Sequence, residues 1–188
     1  LLPAHNFNFD LNAGSLKLEQ YYEIKLQENY QNVTFKEALS QYQHLMDDAV
    51  RLRLRSDVLV GTCLSGGMDS SYITTNAARH YSNGSSKLLS ITVKSLQKEN
   101  DESNYARTVA EHLNIDWHLI AGDEDFFHNS LDEVIYAQEE PFRSPSIFMQ
   151  YQLMQKSKAL NCKVLLDGQG GDETFLGYER YFLSLIHI

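Results

Sequence analysis

The feature that most constrains the fold is a buried-strand pattern that breaks at two glycines and continues as a helix pattern. Residues 58–64 are the apolar run VLVGTCL, residues 65–70 read SGGMDS, and residues 71–79 continue as SYITTNAAR. Strand, tight turn and helix in that order place backbone N–H groups and the positive end of a helix dipole at one point, which favours an anion. Gly66 and Gly67 let the backbone approach a phosphate without a Cβ in the way.

The spacing of these glycines excludes two familiar phosphate-binding loops. The P-loop pattern G-x-x-x-x-G-K-[ST] needs a lysine that this loop lacks, and the Rossmann pattern G-x-G-x-x-G is absent as well. Asp69 stands at the predicted helix start and has two interpretations. It either caps the N–H groups of its own helix or holds a metal ion against the phosphate.

Composition and charge limit the partners of the chain. Its 188 residues suffice for one domain with a sizeable core, and 25 acidic against 16 basic side chains give a net charge of −9, which disfavours nucleic acid. No apolar run approaches the roughly 20 residues of a membrane helix. Cys63 and Cys162 lie in apolar strand-like runs without a C-x-x-C partner, so we interpret them as reduced core thiols of a cytoplasmic protein.

Strand and helix patterns alternate along the rest of the chain. Residues 1–32 predict a hairpin or extended arm, and residues 33–188 predict the principal domain. A capping box at Thr34 opens a helix, and further strands are expected at 87–93, 115–120 and 162–167. Alternation of this kind predicts an α/β fold, a parallel sheet with helices on both faces, and a ligand outside the carboxyl ends of the strands.

The intervening segments predict the helices of this fold. One helix is expected to open at 99–103 and to turn Tyr105, Val109 and Leu113 inward. Another is expected to start at Asp123, and a third follows a loop that contains Pro141 and Pro145. The apolar ending at 182–188 indicates a piece of a longer protein.

A second glycine-rich strand end repeats the pattern of the first. The strand predicted at 162–167 runs into GQGGDET at 168–174. Taken alone, this segment is equally well read as a flexible turn with helix-capping acids. Together with the first loop, it predicts two strand ends that face each other across the top of one sheet, with Asp69 and Asp172 close together.

With both motifs in place, the chain resembles the synthetase domain of glutamine-dependent (B-type) asparagine synthetases, which belong to the N-type ATP pyrophosphatases. The stretches that carry the resemblance are RLRSDV at 53–58 ahead of SGGMDS, SITV at 90–93, EEP at 139–141, and VLLDGQGGDE at 164–173 with GY at 177–178. The arm at 1–32 is similar to the linker that precedes this domain. The resemblance implies an adenine nucleotide α-hydrolase-like (ATP pyrophosphatase) fold, here truncated at its C-terminal side.

The resemblance also implies roles for individual residues. ATP binding is carried over to Leu64, Ser65, Gly66, Gly67, Asp69, Ser70, Val93, Asp167 and Gly168. Asp69 and Asp172 are the implied Mg²⁺ ligands and, together with Gln169, the implied catalytic residues. Better-known members of the family have serine at the position of Asp167 and glutamate at that of Gln169. Because a neutral amide cannot act as a base, Gln169 leaves the identity of the substrate acid open.

The implied reaction is an ATP-dependent amidation. The side-chain carboxylate of aspartate is adenylated, and ammonia from a glutaminase domain of the parent protein converts it to asparagine, with AMP and pyrophosphate as the other products. Two alternatives stay open: a related amidotransferase or β-lactam synthetase-like enzyme that acts on another carboxylate, and a non-catalytic nucleotide-binding fragment. The resemblance implies neither a nucleic-acid nor a membrane partner, and it leaves a homodimer open.

Overall fold

The computed structural model describes residues 1–25, 32–82, 84, 86–95, 97–122, 124–142, 144, 146–175, 177–178 and 181. The chain divides into two compact units, Leu1–His44 and Leu45–Ile188. The helix start expected at Asp123, the loop residue Pro145 and the apolar ending at 182–188 lie outside the described residues. Within the described part of the chain, no helix combines the length and the apolar character that a membrane crossing requires.

The first unit contains the hairpin that the sequence predicts. Its strands β1 (His5–Asp10) and β2 (Ser15–Gln20) pair antiparallel. In the turn between them, the Asp10 carboxylate accepts two backbone N–H groups at 2.8 and 3.0 Å, and Gly14 adopts a φ of +61°. These local contacts stabilise the turn and set the register of the hairpin. The expected end of the arm at residue 32 stays a prediction.

The helix that follows begins with the predicted capping box. Thr34 Oγ1 accepts the Glu37 N–H at 3.3 Å, and the Glu37 carboxylate accepts the Thr34 N–H at 2.9 Å. The exchange satisfies donors that a helix start otherwise leaves without an acceptor.

The second unit is built on a four-stranded parallel sheet. Its elements in chain order are α1 (Phe35–Arg53, which starts in the first unit), β3 (Val60–Cys63), α2 (Met68–His80), β4 (Leu89–Val93), a short 3-10 helix (Lys98–Asn100), α3 (Ser103–Leu113), β5 (Asp116–Ile120), α4 (Glu124–Gln138), α5 (Ser146–Ala159), β6 (Val164–Leu166) and α6 (Gly171–Phe175). The strand order is β5-β4-β3-β6, and each neighbouring pair is parallel. The expected α/β class is therefore confirmed.

Helices cover both faces of this sheet, as the sequence predicts. Thr62 of β3 accepts a hydrogen bond from Thr74 of α2 at 3.2 Å. The next residue, Cys63, packs with Ile91 of β4 and Leu153 of α5. Because successive residues of a strand point to opposite faces, α2 and α5 lie on opposite sides of the sheet.

The central strand β3 is buried along its whole length, which explains its continuous apolar pattern. A methyl group at Gly61 would lie 3.0 Å from the Leu89 carbonyl oxygen and 3.1 Å from Cys162 Sγ, so a larger residue would push the neighbours apart. Cys63 and Cys162 are both buried and free, in agreement with their interpretation as core thiols.

The inward face of α3 differs from the prediction. Tyr105 is 68% exposed, whereas Ser103, Ala106 and Ala110 are the buried residues of this helix. Ala106 and Ala110 pack against the fully buried Leu64, and their small side chains allow the helix to approach the sheet closely. The tyrosine ring is too large for that contact and faces outward. The other two residues expected to point inward are partly buried.

Candidate active site

The candidate site lies at the switch point of the sheet, where the strand order along the chain changes direction. The strand β3 pairs with β4 on one side and with β6 on the other, and Thr62 stands opposite Leu166. In an open parallel sheet, such a switch point leaves a crevice outside the carboxyl ends of the two strands, where ligands bind. The structure has an open cleft of about 560 Å³ at this place.

The cleft gathers nearly all of the site residues that the sequence predicts. Those that line it are Leu64, Ser65, Gly67, Asp69, Ser70, Val93, Asp167, Gly168, Gln169 and Asp172. Gly66 is the predicted residue that does not line the cleft. Residues as far apart in the chain as Leu64 and Asp172 thus meet in one crevice, as expected from parallel strands whose carboxyl ends lie at the same edge of the sheet.

The first glycine loop ends at the start of α2. Gly67 occupies the N-cap position and has no side chain that could cap the helix, and no hydrogen bond to the Asp69 carboxylate is among the causes of its shifted pKa. The interpretation of Asp69 as a capping residue is therefore wrong. Ser70 Oγ instead stabilises the loop, because it accepts the Ser65 N–H at 3.2 Å and donates to the Gly67 carbonyl at 3.1 Å. The N–H groups of Met68 and Asp69 belong to the first helical turn, where a helix supplies no acceptor of its own.

Gly66 contacts the segment that leads into α3. Its φ is +105°, and a methyl group at this position would lie 2.3 Å from the Glu102 carbonyl oxygen. A residue with a Cβ would be strained in this conformation and would also collide with the backbone. The contact with Glu102 is one that sequence patterns did not predict, because it joins segments without a shared motif.

The two glycine loops touch each other. A methyl group at Gly168 would lie 2.7 Å from the Ser70 backbone nitrogen, and one at Gly171 would lie 2.3 Å from the Asp69 Cγ. The absence of side chains at these two positions is what allows the second loop to reach the start of α2.

Asp69 lies in an environment that disfavours its negative charge. Partial burial raises the pKa of Asp69, and the negative charges of Asp172 and Glu173 raise it further. Among the residues that the structure describes, no three histidine, cysteine, aspartate or glutamate side chains are arranged to hold a metal ion. Asp69 and Asp172 suit Mg²⁺ in a different way, since this ion typically takes one or two carboxylates and completes its shell with water and substrate phosphates.

The asparagine synthase family matches the chain over residues 41–187. The chain belongs to this family. Its fold, a parallel sheet flanked by helices with the cleft at the switch point, is the α/β architecture that the sequence predicts.

Three relatives of this asparagine synthase domain show how far the similarity extends. A putative glutamine-hydrolysing asparagine synthetase 2 of Methanocaldococcus jannaschii is 32% identical over 179 residues, which cover 95% of this chain and 33% of that protein. Glutamine-hydrolysing asparagine synthetase 2 of Bacillus subtilis is 31% identical over 186 residues, covering 93% and 24%. The amidase chyE of Penicillium rubens is 30% identical over 150 residues, covering 74% and 22%. The chain thus spans a third or less of the length of these relatives.

Several residues that line the cleft of the asparagine synthase domain were not predicted as site residues. Ser146, Met149 and Gln150 come from the first turns of α5, and Thr92 comes from β4. The loop with Pro141 indicated only that a helix would follow, because the packing of α5 over β4 depends on distant contacts. Leu64 lines the cleft with its side chain fully buried, so its expected contact with the nucleotide would involve the main chain.

The floor of the cleft contains a thiol beside a carboxylate. Cys63 at the end of β3 and Asp167 after β6 both line the cleft. Burial raises the pKa of the Cys63 thiol to about 12, and the charge of the nearby Asp167 carboxylate adds to the shift. A thiolate is the reactive form of cysteine, and Cys63 is therefore an unreactive thiol at neutral pH.

We expect Cys63 to resist alkylation in the folded protein although it lies at a ligand cleft. Iodoacetamide at pH 7.5 should modify Cys63 at least about 100-fold more slowly than a free cysteine, and at the ordinary rate in denaturant. Peptide mass spectrometry of timed samples measures both rates. Fast modification of Cys63 in the folded protein would contradict the raised pKa, and modification of the buried Cys162 provides the matched comparison within the same sample.

Proposed function

We propose that this chain is the ATP-dependent ligase domain of a glutamine-hydrolysing asparagine synthetase. It adenylates the side-chain carboxylate of aspartate and transfers the acyl group to ammonia, which yields asparagine, AMP and pyrophosphate. The observation that carries the proposal is the meeting of two glycine loops, with Asp69 and Asp172, in one cleft at the switch point of the sheet. Membership of the asparagine synthase family supports the same reaction.

The first loop is suited to the phosphates that leave. The N–H groups at the start of α2 form the positive end of the helix dipole, where an anion is stabilised. We assign the β and γ phosphates of ATP to Ser65, Gly66, Gly67, Asp69 and Ser70, and its adenine and ribose to Leu64 and Val93. Asp167 and Gly168 would contact the nucleotide from the second loop.

Asp69 and Asp172, which both line the cleft, would hold Mg²⁺. Partial burial and the negative charge of Asp172 raise the pKa of Asp69, and a divalent cation would offset that negative charge. The ion would supply charge neutralisation for the departing pyrophosphate. The carboxylate pair would orient the triphosphate for attack at its α phosphorus.

The reaction then proceeds in two displacements. A carboxylate oxygen of the substrate forms a bond to the α phosphorus while the bond to the pyrophosphate oxygen breaks. The nitrogen of ammonia next attacks the acyl carbon, AMP leaves with the former carboxylate oxygen, and the nitrogen loses a proton. Gln169 lines the cleft and can hydrogen-bond the acyl group or the amine, but as a neutral amide it cannot take that proton.

ATP–pyrophosphate exchange in the full-length protein tests this function. Labelled pyrophosphate should enter ATP only when an acid that can be adenylated is present, and we expect aspartate to support the highest rate in a panel of carboxylic acids. Asparagine formation from ammonium should show the same preference. Exchange that does not depend on any acid, or no exchange at all, would contradict the proposal.

A second candidate is an amidotransferase for another carboxylate. The similarity to a protein named amidase, at nearly the same identity as to the asparagine synthetases, favours testing it. Gln169, which replaces the glutamate expected from the resemblance, is the residue that would set the difference. Exchange that prefers an acid other than aspartate in the same panel would identify this function.

We also propose that the ammonia reaches the cleft from a glutaminase domain of the parent protein and that the protein acts in the cytoplasm. The length of the asparagine synthetase relatives leaves room for such a domain. The free, buried thiols of Cys63 and Cys162 are typical of a reducing compartment.

A further inference from the structure

A set of buried hydroxyl groups lies beneath the first glycine loop, on β3, β4 and the facing helix. Thr62, Thr74, Ser90 and Thr92 are each no more than 1% exposed. A hydroxyl group removed from water destabilises a protein unless it is hydrogen-bonded. Each of these four hydroxyls has a hydrogen-bond partner. The hydrogen bonds form two separate groups, which we call the first and the second branch.

The first branch connects secondary-structure elements with each other. Thr74 donates to Thr62 at 3.2 Å, and Thr62 donates to Ser90 at 2.9 Å. The second branch reaches the loop. Trp117 Nε1 of β5 donates to Thr92 Oγ1 at 2.8 Å, and Thr92 Oγ1 donates to the Leu64 carbonyl at 2.5 Å.

The second branch has a defined direction. An indole N–H is a donor only, so the oxygen of Thr92 accepts from Trp117 and its single proton is left for Leu64. The Arg107 guanidinium lies 5.9 Å from the centre of the Trp117 ring, a cation–π distance that helps to hold the indole in place. The hydroxyl of Thr92 thus has one arrangement in which both hydrogen bonds form.

The hydrogen bond to Leu64 acts on the first peptide group of the loop. Regular pairing of β3 with β4 ends at Cys63, and beyond it the Leu64 N–H donates to the Ile91 carbonyl at 3.0 Å. The Leu64 carbonyl and the Ser65 N–H belong to one planar unit, so a bond that fixes the first also fixes the direction of the second. The Ser65 N–H is the group that donates to Ser70 Oγ inside the loop.

We propose that Thr92 is a positioning residue for the phosphate-binding loop. Its hydroxyl extends the contact between β4 and the chain by one peptide after the backbone pairing has ended, and it sets the orientation of the Leu64–Ser65 peptide. Through that peptide it acts on the N–H groups that follow, without contacting the phosphates. The effect on nucleotide binding rests on the proposed function, whereas the effect on the loop does not.

Hydrogen exchange in the ligand-free, full-length protein tests the effect on the loop. Thr92→Val removes the hydroxyl and keeps the shape, and we expect the Ser65 amide to exchange about tenfold faster. Thr92→Ser should restore the rate of the wild type. Thr74→Val removes an equally buried hydroxyl from the first branch and should leave the Ser65 amide unchanged. An unchanged Ser65 rate in Thr92→Val, or the same acceleration in Thr74→Val, would overturn the proposal.

Calorimetric titration with Mg²⁺–ATP and with AMP distinguishes positioning of the phosphate-binding loop from general destabilisation of the nucleotide site. AMP lacks the β and γ phosphates and shares only the nucleoside contact at Leu64, so Thr92→Val should weaken ATP binding about tenfold and AMP binding by clearly less. Equal weakening of both nucleotides would indicate a merely structural role and overturn the proposal. If the wild type binds no ATP, the proposed function fails, and the exchange rates still decide the role of Thr92.

Discussion

Asp69→Asn is expected to lower ATP–pyrophosphate exchange by orders of magnitude and at the same time to raise the thermal stability of the protein. The variant keeps the shape of the side chain but removes a charge that the proposed Mg²⁺–triphosphate needs. Loss of such an electrostatic contact to the transferring phosphates should lower the exchange rate by roughly 10²–10³-fold. Labelled pyrophosphate exchange at saturating aspartate measures the loss.

The expected gain in stability follows from the sign of the pKa shift. Burial and the charges of Asp172 and Glu173 raise the pKa of Asp69 above its value in the unfolded chain. The ionised form therefore destabilises the folded state, and this effect grows as the pH rises through the interval between the two pKa values. Thermal melting without Mg²⁺ should show Asp69→Asn above the wild type at pH 7.5, with a smaller difference at acidic pH.

Asp57→Asn is the matched control for this experiment. Asp57 is an exposed acid that precedes β3 at the opposite end of the strand. Its replacement should change neither the exchange rate nor the melting temperature. Full exchange activity in Asp69→Asn would show that Asp69 is not the proposed metal ligand. A melting temperature below that of the wild type at neutral pH would contradict the repulsion of Asp69 by the neighbouring acids.

Gly66→Ala is expected to destabilise the fold and to displace the first loop. The φ of +105° alone makes alanine unfavourable by about 1–3 kcal/mol. The new methyl group would also lie 2.3 Å from the Glu102 carbonyl oxygen, so the loop and the start of α3 cannot both keep their places. Urea denaturation should show a lower free energy of unfolding, and calorimetry should show the loss of ATP binding.

The neighbouring Gly67 provides the comparison. Its φ is −69°, and a methyl group there would meet its nearest neighbours at 3.4 Å, an ordinary contact. Gly67→Ala should therefore unfold close to the midpoint of the wild type, whatever its effect on ATP binding. Equal midpoints for the two alanine variants would show that the contact between Gly66 and Glu102 does not constrain the loop.

The fold class and most of the candidate site were predictable because their signals are local. A β-branched run followed by glycines and a helix pattern specifies strand, turn and helix with little help from the rest of the chain, and parallel strands then bring residues 64–70 and 167–172 to one edge. The hairpin and the capping box at Thr34 are local in the same way, since donors and acceptors lie within a few residues.

The errors arose where long-range packing competes with local pattern. The inward face of α3 was predicted from hydrophobicity, which favours Tyr105, but the close approach to Leu64 selects Ala106 and Ala110. The capping interpretation of Asp69 failed because Ser70 and the Gly67 backbone already close the turn.

The sequence by itself determined the two glycine loops, the acids that follow them and the family to which the chain belongs, because residue type and spacing carry that information. Only the tertiary structure decided that Glu102 supports Gly66, that Gly168 lies against Ser70, and that Thr92 bonds to Leu64. These contacts join segments that are far apart in the chain. Their distances depend on how helices and strands pack, and no local pattern of residues encodes them.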